Sequence, residues 1–424
     1  MTRPQPTEEK LKLSKTIKKL LTGTLCPLLL ISCAPTKTEI EDIPELTEAV
    51  LPETTWEETE MTETPKPSEC SEFIVKPTDE FVRKLGRTTN DGDTLYASYS
   101  LSGIEFEMEG TLCDVTLTTD GERFSDDRKA YAVVTRNDDA ENSWRFKLED
   151  GTHTYRIFQS ETPQKVKIRL EKLSESAMAS MGIERIKTIS YFEPSPTEEK
   201  PLKIQFVGDS ITCAYGIEGA DENSPFDTAE ENPLIGFANL TAESLSADKE
   251  LISWSGIGAV SCCTDKVGVK EDYVLIGDLY RREDFNFDNV NGREPVEFVR
   301  ENRQPDIVVV NIGTNDYFYT GDVPELITEF GECYYDLLTE IRRQNPHADI
   351  ICTLGVLGNQ LMPEIERCAE RFREELDENI YTLEFDLHDI ENDGMGSKYH
   401  PSAKTHRKMA DRLTEFIIEN HLND

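Results

Sequence analysis

Four residues between positions 210 and 400 carry the groups that acyl transfer requires. Ser210 stands in the turn Gly208, Asp209, Ser210, and its hydroxyl is a poor nucleophile until a neutral imidazole takes its proton. His400 stands in Tyr399, His400, Pro401, Ser402. The proline holds the residue before it extended and Ser402 can cap the following helix, so the ring is fixed just outside a helix start. A tetrahedral oxygen needs N–H donors aimed at it. Asn315, in Gly313, Thr314, Asn315, Asp316, offers a side-chain amide. Gly256, in Ser255, Gly256, Ile257, Gly258, lets a backbone N–H approach a reacting carbonyl. The predicted roles are Ser210 as nucleophile, His400 as base, and Gly256 and Asn315, with the Ser210 N–H, as oxyanion donors. Asp209 and Asp316 read as acceptors that brace their own turns, and Cys213 as a small buried residue.

Apolar runs precede three of these candidates and place them in a fold. Residues 204–207 form a short strand ahead of Ser210, 251–254 precede Gly256, and 306–312, nearly continuous Val and Ile, precede Asn315. Residues 349–354 and 381–387 read as two more strands. Between them Leu326, Ile327, Phe330, Tyr334, Leu337, Leu338 and Ile341 repeat at helical spacing, as do Ile365, Cys368, Phe372 and Leu376. A last helix, 403–418, aligns Ala403, His406, Ala410, Leu413 and Ile417. Strand alternating with helix predicts a parallel sheet covered on both faces, whose ligands bind at the carboxyl ends of the strands.

The four turns, in this order, resemble the blocks of the SGNH (GDSL) hydrolase superfamily. The stretches FVGDSITCAYG (206–216) and GMGSKYHPSAKTH (394–406), with a β-rich region ahead of them, are similar to carbohydrate esterase family two. The resemblance covers nearly everything after residue 71. It implies a flavodoxin-like three-layer α/β/α sandwich with a parallel sheet, preceded by an all-β jelly-roll sandwich. The implied activity is removal of O-acetyl groups from xylan, glucomannan or related polysaccharide, with no metal or organic cofactor. The sequence departs from the superfamily pattern at Ser397, where most members place an Asp three residues before the His. The resemblance also implies that a backbone carbonyl can take the Nδ1 proton instead. Asp393 or Asp386 are alternative acids, and the role stays unassigned. The departure supports a competing expectation, a catalytically weak or inactive glycan-binding protein at the cell surface. A lipid or thioester substrate is a third reading that the carbohydrate-type motifs disfavour.

The rest of the chain sets the address and the domains. Lys10, Lys12, Lys15, Lys18 and Lys19 precede an apolar run at Leu20, Leu21 and residues 25–31, which ends in Leu30, Ile31, Ser32, Cys33. Residues 1–32 therefore read as a signal peptide and Cys33 as the lipidated first residue of a bacterial lipoprotein, secreted and membrane-anchored at the cell surface. Residues 33–71, rich in Thr, Glu and Pro, read as a disordered tether. Residues 72–195 show period-two patterning: Ile104, Phe106 and Met108 alternate with Glu105, Glu107 and Glu109, and short apolar runs recur between turn signals. Residues 194–201 read as a linker to the hydrolase domain, 200–424. A formal charge of −38 makes nucleic acid a poor partner, because phosphate binding needs clustered Lys and Arg. A neutral substrate suits it better, and the resemblance implies an acetylated polysaccharide or oligosaccharide. Tyr317, Phe318, Tyr319, Tyr399 and Trp254 flank the four turns and either stack on sugar rings or pack in the core. Eight cysteines follow Cys33 without zinc-ligand spacing, and their pairing cannot be read from their order.

Overall fold

The computed structural model describes residues 68–300 and 303–422. The expected signal segment 1–32, Cys33 and all but the end of the tether 33–71 lie outside the described residues.

Antiparallel strands come first: β1 (Ser71–Val75), β2 (Arg83–Leu85), β3 (Thr89–Asp91), β4 (Thr94–Ala97), β5 (Gly103–Thr119), β6 (Tyr131–Arg136), β7 (Asp139–Lys147), β8 (Gly151–Lys172), β9 (Met181–Ser190) and β10 (Ser195–Pro196). The sequence predicts separate short strands in a jelly-roll sandwich. The structure has a separate antiparallel β domain whose ten strands, several of them long, join in one sheet, in the order β3-β4-β9-β5-β8-β6-β7, with β1 on β9 and both β2 and β10 on β5. Continuity comes from β5 and β8, and a register shift between Gly110 and Leu112 makes it workable. An extra residue there reverses which side chains face inward, so Ile104, Phe106 and Met108 on one side and Cys113, Val115 and Leu117 on the other enter the same core. The sheet therefore curls around one interior. The expected linker is not free, since Ser195 and Pro196 pair with Glu107 and Phe106.

The second part is a parallel sheet of β11 (Leu202–Gly208), β12 (Ala247–Ser253), β13 (Ile307–Asn311), β14 (Asp349–Leu354) and β15 (Ile380–Glu384), ordered β12-β11-β13-β14-β15. Its helices are α1 (Ser210–Cys213), α2 (Phe237–Ser244), α3 (Ile276–Arg281), α4 (Phe285–Asn291), α5 (Asp316–Thr320), α6 (Pro324–Gln344), α7 (Met362–Glu375), α8 (Ile390–Asp393) and α9 (Ala403–Glu419). Strand residues alternate between two cores. Val308 and Val310 pack with Phe330, Tyr334 and Leu338 of α6 and Ile365 and Phe372 of α7, whereas Ile307 and Val309 pack with Phe237 of α2 and Leu413 and Ile417 of α9. The result is three layers, helices over both faces of the sheet. The chain steps from β11 outward to β12, then returns to the other side of β11 for β13. That reversal opens a crevice at the carboxyl ends of β11 and β13, where open sheets bind ligands.

Buried ion pairs join the two parts. Glu105 on β5, 2% exposed, accepts from Arg83 and Arg169 at 2.6 Å each and from the Thr197 hydroxyl at 2.6 Å. Arg83 also reaches Asp248 of β12 at 2.6 Å, and Arg87 donates to the carbonyls of Tyr280 and Arg282 at 2.9 and 2.8 Å. Burial would raise the Glu105 carboxyl, but Arg169, Thr197 and Arg83 overcome it and hold it at about 2, below its usual 4.5. Its stabilisation is therefore complete above pH 4.5 and lost as pH falls through about 2. Glu105→Ala takes the most buried carboxylate from Arg83 and Arg169, which keep Asp248 and Asp138 at 2.6 and 2.9 Å, so urea unfolding at pH 7 is expected to show a loss of about 1.5–3 kcal/mol. The difference from the parent shrinks as pH drops below 4.5. A loss below about 1 kcal/mol at pH 7 would contradict this account.

Candidate active site

The turn after β11 is tight. A Cβ at Gly208 would lie 2.0 Å from Thr212 Oγ1 and 3.2 Å from the Asn311 carbonyl, so only glycine fits beside β13. Asp209 then caps α1, accepting the Ile211 N–H at 2.9 Å. This puts Ser210 at the first position of the helix, 7% exposed.

His400 arrives from the far end of the chain. Its Nε2 lies 2.8 Å from Ser210 Oγ. Its Nδ1 faces two carbonyl oxygens, of Ser397 at 3.2 Å and Lys398 at 3.0 Å. Carbonyls only accept, so the proton sits on Nδ1 and Nε2 is left to accept from the serine. Burial pushes the imidazole down to about 4, against the opposing pull of the two carbonyls, so the ring is neutral at pH 7.

The turn that aims these carbonyls is strained, with Lys398 and Tyr399 in the left-handed region at φ of 54° and 63°. It is pinned by Ser397 N–H to the Gly216 carbonyl at 2.8 Å, Gly396 N–H to the His400 carbonyl at 3.0 Å, and the Ser397 hydroxyl to Glu230 at 2.5 Å. The serine at the usual acid position thus turns its hydroxyl away and its carbonyl toward the ring. Neither alternative acid hydrogen-bonds His400 among the described residues. Asp393 pairs with Lys408 at 2.6 Å, and Asp386 is exposed.

Gly256 and Asn315 stand at the same rim. Gly256 follows β12 with φ of 82°, a conformation that favours glycine, and its carbonyl accepts from Cys263 N–H at 2.8 Å. Among the hydrogen bonds of the described residues, none uses the N–H of Gly256 or of Ser210. Asn315 follows β13 and spends both amide hydrogens at rest, on Asp209 at 3.1 Å and on the Ile257 carbonyl at 2.9 Å. An oxyanion would have to share one of them. Asp316 accepts the N–H groups of Ala259, Val260 and Ser261 at 3.1, 2.7 and 3.2 Å, which folds the loop behind Gly256. Burial still raises the Asp209 carboxyl to about 7 and that of Asp316 to about 6.

Other expectations divide. Tyr319 is buried with its hydroxyl on Glu329, and the half-buried Trp254 packs against the core, edge-on to Phe285. Phe318 and Tyr399 are 42% and 45% exposed. Cys213 is buried in α1, and no disulfide joins the cysteines of the described residues. His406 is a core residue whose Nδ1 accepts from Phe237 N–H at 3.1 Å. Tyr215, absent from the sequence-based candidates, lies 4.5 Å from the His400 ring and stacks on Phe226 at 3.8 Å. Its only signal was its place in the 206–216 stretch.

Residues 206–408 match the sequence model of the GDSL-like Lipase/Acylhydrolase family. The chain is 30% identical over 339 residues to the cellulase/esterase CelE of Acetivibrio thermocellus, a match that takes in 76% of this chain but 37% of that protein. It is 26% identical to an acetylxylan esterase/glucomannan deacetylase of Cellvibrio japonicus, across 63% of this chain and 71% of the relative. Among solved structures, a family two carbohydrate esterase from Clostridium thermocellum in complex with cellohexaose superposes with a TM-score of 0.69 at 25% identity, covering 81% of this chain and all of that one. The chain thus spans little more than a third of the first of these relatives.

The histidine geometry has a direct readout. In an NMR titration of the imidazole signals, His400 should remain neutral at pH 7 and protonate only as pH falls through about 4. Titration at or above the ordinary 6.5 would contradict the assignment of its environment.

Proposed function

We propose, on the premise that the chain belongs to the GDSL-like lipase/acylhydrolase family, that it is a serine esterase removing O-acetyl groups from plant cell-wall polysaccharide such as xylan or glucomannan. The observation that carries this reading is the 2.8 Å contact from Ser210 Oγ to a His400 Nε2 that can only accept. As Oγ attacks the acetyl carbonyl carbon, its proton passes to Nε2, and the tetrahedral oxygen takes the free N–H groups of Gly256 and Ser210. Asn315 adds a third donor by loosening its bond to Asp209. Collapse breaks the ester bond, the departing sugar hydroxyl recovers the proton from His400, and Ser210 is left acetylated. A water, deprotonated by the same Nε2, bonds to the acetyl carbon, the bond to Ser210 Oγ breaks, acetate leaves, and the proton on Nε2 returns to Oγ.

The imidazolium formed on the way is held by the carbonyls of Ser397 and Lys398 in place of a carboxylate. In serine proteases losing the acid costs about 10⁴ in turnover through the wrong tautomer. Here the carbonyls select the right tautomer, which argues against the inactive glycan-binding reading. Polysaccharide as substrate rests on the relatives named above and on the curled β domain, which we read as the jelly-roll partner of that esterase type. The anchor at Cys33 belongs to the same proposal and rests on the Leu30, Ile31, Ser32, Cys33 signal. The mass of the mature N-terminus, acylated or bare, decides it.

The purified protein is expected to release acetate from acetylated xylan or glucomannan. Ser210→Ala should lower turnover by about 10⁴ or more while unfolding at the parent's midpoint. A folded Ala variant with undiminished turnover would sink the assignment. Retention on polysaccharide, with no hydrolysis even of an activated acetate ester, would favour the glycan-binding alternative.

A further inference from the structure

We infer that Glu175, which the β domain contributes, is a positioning residue for the loop carrying the Gly256 oxyanion donor. The inference rests on the esterase reading and adds to it a part for the β domain. After β8 the chain crosses to the carboxyl edge of the parallel sheet, and there Glu175 is fully buried at 0% exposure. Its Oε2 accepts the backbone N–H of Ser255 at 2.6 Å and the thiol of Cys213 at 3.5 Å. Ser255 is the residue before Gly256, and Cys213 ends the helix that Ser210 begins. One carboxylate oxygen therefore ties the oxyanion loop to the nucleophile's helix.

The same segment grips the strand ahead of the loop, because the Ser176 hydroxyl donates to the carbonyl of Ser253, the last residue of β12, at 2.7 Å. The grip is itself anchored. Glu175 N–H donates to Glu231 Oε2 at 3.1 Å. The fully buried Lys172 ammonium donates to the carbonyls of Ser98, Ser174 and Glu175 at 2.8, 2.5 and 2.8 Å. Three lysine donors on three carbonyls fix the path of residues 172–175, so the carboxylate arrives already aimed.

The need for such a brace follows from the glycine. Gly256 buys its φ of 82° with the most mobile of all backbones, while an oxyanion donor helps only if it is oriented before the charge develops. Holding the preceding N–H on a fully buried carboxyl oxygen, 2.6 Å away and shielded from competing water, removes that freedom. Glu175 touches no reacting atom, so its loss should act on the transition state and leave ground-state binding almost alone.

The test compares kcat and KM on p-nitrophenyl acetate for the full-length parent, Glu175→Ala and Glu175→Gln, at a temperature where near-ultraviolet circular dichroism shows each folded. Glu175→Ala should lower kcat about ten- to a hundredfold, part of the cost of a lost donor, with KM within about twofold. Glu175→Gln, whose amide oxygen still accepts the Ser255 N–H, should regain most of the loss. If the Ala variant does not fold, Glu175→Asp, one methylene short of Ser255, carries the same expectation. A folded Ala or Asp variant with the parent's kcat, or a Gln variant as slow as them, overturns the inference. These outcomes require an active parent. A parent that does not turn over the ester, or a Ser210→Ala variant that does, instead overturns the esterase reading itself.

Discussion

A single hydrogen bond, 2.8 Å long between residues 190 positions apart, sets the terms for the molecule. A serine hydroxyl and an imidazole meet only if the end of β11 and the turn before α9 reach the same rim of the sheet. The parallel arrangement brings the strand ends to that rim, and the reversal of strand order between β11 and β13 leaves room there. The strain at Lys398 and Tyr399 is the local cost of turning the last loop back on itself. Four separate contacts, to Gly216, Glu230, Gly396 and Ser210, hold the loop against it.

Electrostatics around that bond are arranged by burial more than by charge. The imidazole is kept neutral at pH 7 because it is desolvated and faced by dipoles, with no carboxylate partner among the described residues. Asp209 and Asp316 are buried at the same rim and accept backbone N–H groups, with the Asn315 amide on the second Asp209 oxygen, stiffening the turns that present Ser210 and Gly256. The β domain enters the same arrangement through its buried cross-links, from Arg83 and Glu105 at the amino edge of the sheet to Glu175 at the carboxyl edge.

What the residues disclosed in advance follows physical lines. The five parallel strands were legible because each carries a short apolar run, nearly continuous Val and Ile in β13, and stripes of helical period separate the later ones. The four candidate residues were legible because each breaks such a pattern at a turn. The single curled sheet was not, since the register shift near Gly110 inverts the alternation and makes one long strand look like two short ones. Glu175 was invisible for a different reason: Ser174, Glu175, Ser176 has the composition of a solvated loop, although residues 171–176 are all buried. The bond from Ser397 to Glu230 and the ring of Tyr215 over His400 are long-range meetings that no local spacing encodes.

The central claim is that acetyl passes through Ser210, and catching it there is the most direct trial. The protein is mixed with excess p-nitrophenyl acetate, quenched in acid during turnover, digested, and its peptides read by mass spectrometry. The account predicts one acetyl group on the peptide bearing Ser210, absent when Ser210 is Ala. Acetate production with that peptide unmodified throughout, or an acetyl group on some other side chain such as Cys263, would contradict it.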